Sequence, residues 1–162
     1  MQIHVLPAPH HQKTLLRNLS ELYLHDFSEF DGADVNEHGL YEYPYIDHYW
    51  TEPERHPFII WADDKPAGFA LVRDIPQSDG TVLHSMAEFF ILRKYRRSGV
   101  GTHAAQQLFA RLPGAWQVAQ IKENVPAQSF WRNVIGNFTH DNYRETTDPL
   151  DGGPMQEFLS EG

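Results

Sequence analysis

The sequence predicts a fold of the broad α/β class, and within it the α+β type. A mixed, largely antiparallel, twisted sheet of about six or seven strands is expected, flanked by about four helices. Three observations lead to it. Short apolar runs bounded by turn residues fill the middle of the chain, two stretches with helical periodicity follow, and the elements run in the order β-α-(α)-β-β-β-α-β-α-β-β. A length of 162 residues favours one domain spanning residues 1–162.

The first half of the chain is expected to hold one strand, one helix and then a run of strands. Alternation at residues 3–6 predicts a short strand, and leucines at helical spacing predict an amphipathic helix over residues 10–27. Residues 28–56, rich in Asp, Gly, Tyr and Pro, are expected to be loop with a short helix near residues 46–50. The strands that follow are predicted at 58–61, 68–72 and 82–92.

The second half alternates between helices and strands. A helical stripe begins at Val100 and stops before Pro113, and residues 116–121 predict a strand. Asn124 is a good N-cap for a second helix, which we expect to end at Gly136. Short strands at residues 138–143 and 154–159 are predicted to close the sheet.

Composition excludes several function classes. The chain has no cysteine, so a disulfide scaffold, a thiolate nucleophile and a thiolate metal site are excluded. Ten histidines include no HExxH pattern and no convincing ligand spacing, so we expect no metal. No apolar stretch could span a bilayer and no signal peptide is visible, which favours a cytoplasmic protein. A net charge of −9 disfavours nucleic acid and anionic membranes as partners.

The charge is unevenly distributed. Residues 18–54 hold ten carboxylates and neither Lys nor Arg, whereas residues 93–97 hold four of the 13 basic side chains. The first segment suits a cation and the second an anion, although two solvated surfaces would give the same pattern.

The strongest motif lies between a strand and a helix. The predicted strand ending at Leu92 is followed by Arg96-x-x-Gly99-x-Gly101 and then by the helix. Free N–H groups at a helix N-terminus form an anion site, glycines allow close approach of a phosphate, and arginines add charged hydrogen bonds. The third glycine of the Rossmann fingerprint and the Gly-Lys-Ser/Thr of a Walker loop are absent.

Residues 89–101 resemble the acetyl-CoA-binding motif of the GNAT superfamily of N-acetyltransferases. Asn124-x-x-Ala127-x-x-Phe130-Trp131 is similar to the second element of that family, and the spacing between the two elements also matches. The resemblance implies acetyl-CoA as cosubstrate and a V-shaped opening between the strands at 88–92 and 116–121. It also implies a bulge near Phe90 or Ile91, which would free backbone N–H groups for the thioester. The cofactor-binding residues that it implies are Phe89, Phe90, Ile91, Arg96, Arg97, Ser98, Gly99, Val100, Gly101, Thr102, Asn124, Ala127 and Trp131.

Glu88 is the candidate catalytic base. It is the only acid inside an apolar strand, and GNAT members often carry an acid at this position. A carboxylate in such a strand is costly unless it is solvated, paired or used in catalysis. The structural alternative is a Glu88 that faces solvent or pairs with an arginine.

Trp131 stands where many GNAT members have a tyrosine that protonates the leaving thiolate. An indole does not donate a proton usefully at neutral pH. Solvent or another residue such as Tyr143 could supply the proton, and the sequence does not choose between them. Trp131 itself could pack beside the cofactor or in the core.

The acceptor site is expected in the acidic, tyrosine-rich segment, because the region after the first helix often contributes to acceptor binding in the GNAT family. Carboxylates and aromatic faces suit an ammonium group. The candidate residues are Tyr41, Glu42, Tyr45, Asp47 and Tyr49. Packing of this segment against the sheet, with a solvated rim, is the structural alternative.

The predicted function is transfer of an acetyl group from acetyl-CoA to a primary amine, on a cationic small molecule or a peptide. The amine would attack the thioester directly, with backbone N–H groups stabilising the oxyanion and a carboxylate as base. The alternative is a catalytically silent acyl-CoA-binding module for sensing or interaction. The sequence does not identify the acceptor, and it leaves open whether the chain forms a homodimer.

Overall fold

The computed structural model describes all 162 residues and contains a seven-stranded mixed sheet with three α-helices. The strands are β1 (Ile3–Pro7), β2 (Arg55–Ala62), β3 (Lys65–Pro76), β4 (Val82–Ile91), β5 (Gly114–Ala119), β6 (Arg144–Thr147) and β7 (Pro154–Ser160). The helices are α1 (Lys13–Asp31), α2 (Val100–Arg111) and α3 (Val125–Thr139). The α/β class and the mixed, largely antiparallel sheet are therefore confirmed.

The strands lie in the order β1-β2-β3-β4-β5-β7-β6. Every neighbouring pair is antiparallel except β4 and β5, which are parallel. These two strands pair only over Leu83–Ser85 and Ala115–Gln117. Beyond that point β4 continues beside β3 and β5 continues beside β7. The predicted opening between the two strands is thus present.

Apolar side chains fill both faces of the sheet. One core lies under α2 and α3 and includes Leu108, Phe109 and Trp116, all fully buried. The other lies under α1 and joins Leu16 to Phe69 and Leu71. The two cores fix the helices on opposite faces of the same sheet, so the opening between β4 and β5 is flanked by α1 on one face and by α3 on the other. None of the helices is long and apolar enough to cross a bilayer.

The helices differ from expectation at two points in the first half. The expected short helix near residues 46–50 is a single 3₁₀ turn, Ile46–Trp50, which leaves three α-helices rather than about four. Helix α1 continues beyond residue 27 to Asp31, where Gly32 adopts φ 67° and its N–H bonds the carbonyl of Ser28. This left-handed glycine ends the helix because it satisfies a terminal carbonyl without a Cβ penalty.

The strand predicted at residues 138–143 was wrong. Helix α3 passes through Gly136 to Thr139 and ends where His140 adopts φ 53°. A Cβ on Gly136 would lie 2.8 Å from Oδ1 of Asp141, so this glycine allows close packing rather than ending the helix. The sixth strand begins only at Arg144.

Gly68 provides a test of the sheet packing next to the opening. A Cβ at this position would lie 2.0 Å from the carbonyl oxygen of Phe90 on β4, so β3 and β4 would have to separate. We expect Gly68→Ala to lower the free energy of unfolding by about 3 kcal/mol or more. Gly39→Ala, at φ 75° in open space, should cost only about 1 kcal/mol. Urea denaturation of both variants measures the difference, and equal losses would contradict this packing.

Candidate active site

A β-bulge at Ala87 shapes the opening. Leu71 pairs with Glu88 whereas the next residue, Val72, pairs with Met86, which leaves Ala87 as the extra residue of β4. The bulge therefore lies before Glu88 and not near Phe90 or Ile91, as the resemblance implied. Residues two apart in a regular strand point to the same face of the sheet, but the bulge places the side chains of Met86 and Glu88 on opposite faces. Met86 consequently packs in the core under α2 and α3, while Glu88 points towards α1.

Glu88 is held by two phenols rather than by a cation. Tyr23 on α1 donates a hydrogen bond to one carboxylate oxygen, and Tyr43 donates to the other at 3.4 Å. Burial raises the pKa of Glu88 to about 7, although both phenol hydrogen bonds act to lower it. Burial and the neighbouring carboxylate raise the pKa of Tyr23 and of Tyr43. The carboxyl group thus has a pKa suited to accept a proton near neutral pH.

A cavity of about 610 Å³ runs from the opening to the start of α2. All the residues that the resemblance implied for the cofactor line it except Ser98 and Val100. The Val100 side chain is fully buried in the core, and the Ser98 hydroxyl donates to the carbonyl of Tyr95. Helix α1 supplies a further wall that sequence reasoning missed, made by Tyr23, Asp26, Phe27, Glu29 and Phe30.

The N-terminus of α2 faces this cavity without a side-chain cap. Gly99 is the N-cap residue at φ 85°, and Arg97 also has a positive φ of 60°. The first N–H groups of a helix have no partner within it, so these groups are available to an anion. Gly101 serves packing as well, because a Cβ there would lie 3.1 Å from the ring of Phe130 on α3.

Asp26 links α1 to the arginines of the loop. Its carboxylate accepts a hydrogen bond from Arg93 at 2.7 Å and another from Arg96. Burial alone would raise the pKa of Asp26, but these guanidinium groups lower it below its usual range. Nε of Arg96 also donates to the carbonyl of Ile91 at 2.8 Å. The guanidinium of Arg96 is thereby fixed at the wall of the cavity before any ligand arrives.

A second cavity, of about 260 Å³, lies in the opening itself and contains Glu88. It shares part of its lining with the first cavity, so the two meet. The shared residues are Tyr23, Phe27, Phe89, Asn124, Ala127 and Trp131. The Asn124 side chain accepts from the N–H of Ala127 at 3.2 Å, which confirms its role as N-cap of α3. The Trp131 ring is buried with its centroid 4.9 Å from that of Phe89.

The residues predicted for the acceptor, Tyr41, Glu42, Tyr45, Asp47 and Tyr49, line neither cavity. The Asp47 carboxylate pairs with Nζ of Lys13 at 2.6 Å and with Arg17. The rings of Tyr45 and Tyr49 flank the guanidinium of Arg55, and Glu21 accepts from the N–H groups of Tyr41 and Glu42. The segment instead contributes Tyr43, which donates to Glu88 and was not among the predicted acceptor residues.

One sequence signal could have found Tyr23. Tyr23, Asp26, Phe27 and Phe30 have the i, i+3, i+4, i+7 spacing of one face of a helix, and all four line the first cavity. Two polar residues, Tyr23 and Asp26, within an aromatic helical stripe indicate the wall of a site rather than a simple core.

No group of three His, Cys, Asp or Glu side chains comes together in a way that could hold a metal ion.

Comparisons with known proteins concern the family and the fold of the chain. The model of the acetyltransferase (GNAT) family matches residues 16–136. No curated protein sequence matches the chain. Among solved structures, an acetyltransferase from Thermus thermophilus superposes with a TM-score of 0.69 at 14% identity, covering 98% of this chain and 97% of that one.

Two further solved structures share the fold to a similar degree. An aminoglycoside acetyltransferase in complex with coenzyme A gives a TM-score of 0.67 at 13% identity, with 98% of this chain and 95% of that one covered. The ribosomal-protein-S18-alanine N-acetyltransferase from Escherichia coli gives 0.65 at 9% identity, covering 99% and 96%. At these identities the likeness concerns the fold alone.

The raised pKa of Glu88 predicts a pH-dependent stability. Because burial raises this pKa from 4.5 to about 7, the protonated carboxyl favours the folded state, and that contribution is lost as pH rises from about 4.5 through 7. Glu88→Gln should therefore become more stable relative to the natural chain over this range, on the order of 2–3 kcal/mol. Urea denaturation at several pH values measures this difference. Glu54→Gln, at an exposed site, controls for the change in net charge, and a pH-independent difference for Glu88→Gln would contradict the assignment.

Proposed function

The chain belongs to the GNAT family of acetyltransferases, and from that premise we propose that residues 1–162 act as one unit that transfers an acetyl group from acetyl-CoA to a primary amine in a ternary complex. One observation carries the proposal. A carboxyl group with its pKa raised to about 7, Glu88, lines the smaller cavity in the sheet opening, and this cavity meets the larger one that is lined by the loop before α2.

The larger cavity suits the cosubstrate. The uncapped start of α2, together with Arg96 and Arg97, offers N–H donors and positive charge to a pyrophosphate. The wall contributed by Phe89, Phe90 and Ile91 leads from there towards Glu88. An extended thioester would run along this wall, with its phosphates at the helix and its acetyl group at the junction of the two cavities.

The chemistry uses the opening and the carboxyl group together. An amine arrives mainly as its ammonium form, and the Glu88 carboxylate takes a proton from it. The nitrogen then attacks the thioester carbon. Past Ser85, the edge of β4 that faces β5 has no strand partner, so its N–H groups can stabilise the developing oxyanion.

We propose an acceptor that is cationic at neutral pH, either a small molecule or a peptide amine. The support is electrostatic: the net charge is −9, and residues 18–54 hold ten carboxylates without Lys or Arg. Of these ten carboxylates, only Asp26 and Glu29 line the larger cavity and none lines the smaller one, and Asp47 is paired with Lys13. The carboxylates of the segment therefore act mainly as an outer acidic field around the site.

A silent acyl-CoA-binding module is the second candidate, and one observation favours it. Trp131 occupies the junction of the cavities where a proton-donating tyrosine is common in the family. Such a module would bind acetyl-CoA but would not release thiol in the presence of any amine.

Arg97 tests the cosubstrate site. Its side chain lines the larger cavity, whereas the neighbouring Lys94 is exposed, lies 5.4 Å from the ring of Tyr95 and lines neither cavity. Loss of a charge-assisted hydrogen bond should make CoA binding by Arg97→Ala about 10- to 100-fold weaker. Lys94→Ala removes the same charge and should change the affinity less than about threefold. Calorimetric titration with CoA distinguishes the two, and equal losses would indicate a general charge effect rather than a site.

The function itself is tested by a screen of amines with acetyl-CoA, in which thiol release and acetylated product are both measured. We expect cationic amines to be acetylated faster than neutral ones and their apparent affinity to fall as salt rises. The rate should rise with pH through about 7, where Glu88 ionises. Glu88→Gln should lower turnover by about 100-fold while CoA affinity is kept. CoA binding without thiol release would support the silent module instead.

A further inference from the structure

The reaction needs a proton for the departing thiolate, and the junction of the two cavities offers few donors. Trp131 lies there, but its indole is not a useful acid at neutral pH. Tyr143, which the sequence left as a candidate, lines neither cavity. Tyr23 lines both, and its hydroxyl already donates to Glu88.

We propose that Tyr23 on α1 is the general acid that protonates the sulfur of the leaving thiolate, and that Glu88 then returns a proton to it. The assignment rests on the proposed acetyl transfer. It places the acid on α1, on the opposite face of the sheet from the α3 position that holds Trp131.

The proton balance closes with these two side chains and one proton released to water. The ammonium group of the acceptor loses one proton to Glu88, the N–C bond forms and the C–S bond breaks with its electron pair remaining on sulfur. The second proton that the nitrogen loses on becoming an amide passes to water. The hydroxyl proton of Tyr23 moves to that sulfur, and the proton held by Glu88 moves along the existing hydrogen bond to the phenolate oxygen. Both side chains return to their starting state, and the products are an amide, a free thiol and one proton released to water.

The acidity of the Tyr23 phenol increases during these proton transfers, as a general acid requires. The pKa of Tyr23 is raised by burial and also by the negative charge of Glu88. When Glu88 accepts the proton of the amine, that charge disappears and the phenol becomes more acidic. Tyr23 thus becomes a better proton donor only after the base has acted.

The phenol is also held in place. The Tyr23 ring packs edge-on against Phe69 and Phe90, with both centroids 5.7 Å away. One helical turn later, Asp26 is bonded to Arg93 and Arg96, which fastens α1 to the loop before α2. Packing and ion pairing therefore restrict where the hydroxyl can point.

Tyr43 provides a matched comparison. Its hydroxyl also donates to Glu88, at 3.4 Å, but its side chain lines neither cavity. Tyr43→Phe removes a hydrogen bond from the base alone. Tyr23→Phe removes a hydrogen bond from the base and the acid as well.

The experiment measures thiol release from acetyl-CoA with the fastest amine of the screen and with hydroxylamine, which is largely uncharged at neutral pH and so depends little on a base. We expect Tyr23→Phe to lower kcat by about 100-fold or more with both acceptors. Tyr43→Phe should lose less than about tenfold with the amine and still less with hydroxylamine. CoA affinity, measured by calorimetry, should be kept in both variants, which shows that they are folded.

A pH profile gives a readout that a structural role would not move. Replacing Tyr23 by 3-fluorotyrosine lowers the pKa of the phenol and should shift the falling limb of the rate at high pH to lower pH, whereas the same replacement of Tyr43 should leave that limb in place. Equal losses in Tyr23→Phe and Tyr43→Phe, or an unmoved limb, would overturn the assignment of Tyr23 while acetyl transfer stands. A natural chain that binds CoA but releases thiol with no amine, and with hydroxylamine only at the uncatalysed rate, would instead overturn the proposed function, and this assignment with it.

Discussion

The parting of β4 from β5 is the constraint on which the rest of the site depends. The two strands are parallel neighbours, yet they pair only over Leu83–Ser85 and Ala115–Gln117 before each continues beside its other neighbour. Parting leaves backbone groups of β4 without partners in the middle of a sheet, which is costly unless water or a ligand satisfies them. The bulge at Ala87 then turns the side chain of Glu88 to the sheet face that α1 covers. The same geometry therefore creates a cavity, unpaired N–H groups and a carboxyl group with a raised pKa.

Helix α1 connects the two ends of this site. One face of it carries Tyr23, which donates to Glu88, and Asp26, which accepts from Arg93 and Arg96. The aromatic residues Phe27 and Phe30 complete the same face along the larger cavity. Helix α1 contacts both the acid–base pair and the anion-binding loop. A shift of α1 would therefore move Tyr23 relative to Glu88 and Asp26 relative to the arginines of the loop. Helix α1 thus forms a wall of the site in addition to covering the core that lies under it.

Local signals allowed the loop and its helix to be predicted from the sequence, because glycines, arginines and the N-cap Asn124 act on neighbouring residues. The prediction that α3 ends at Gly136 was wrong because this glycine is needed for close packing against Asp141. Only the folded structure reveals that contact. The position of the bulge follows from the register of β3 against β4, and no local pattern encodes it. The acceptor residues were sought by composition, whereas the second cavity is built from β4, β5, α1 and α3 side chains brought together by topology.

The most direct measurement of the central claim is a crystal structure of the chain with acetyl-CoA. The account predicts the pyrophosphate at the N–H groups of residues 100–102 and the thioester between β4 and β5. Its carbonyl oxygen should lie within about 3 Å of a β4 N–H group, next to Glu88 and Tyr23. A thioester bound outside the opening, or pantetheine running along another face of the sheet, would contradict the account.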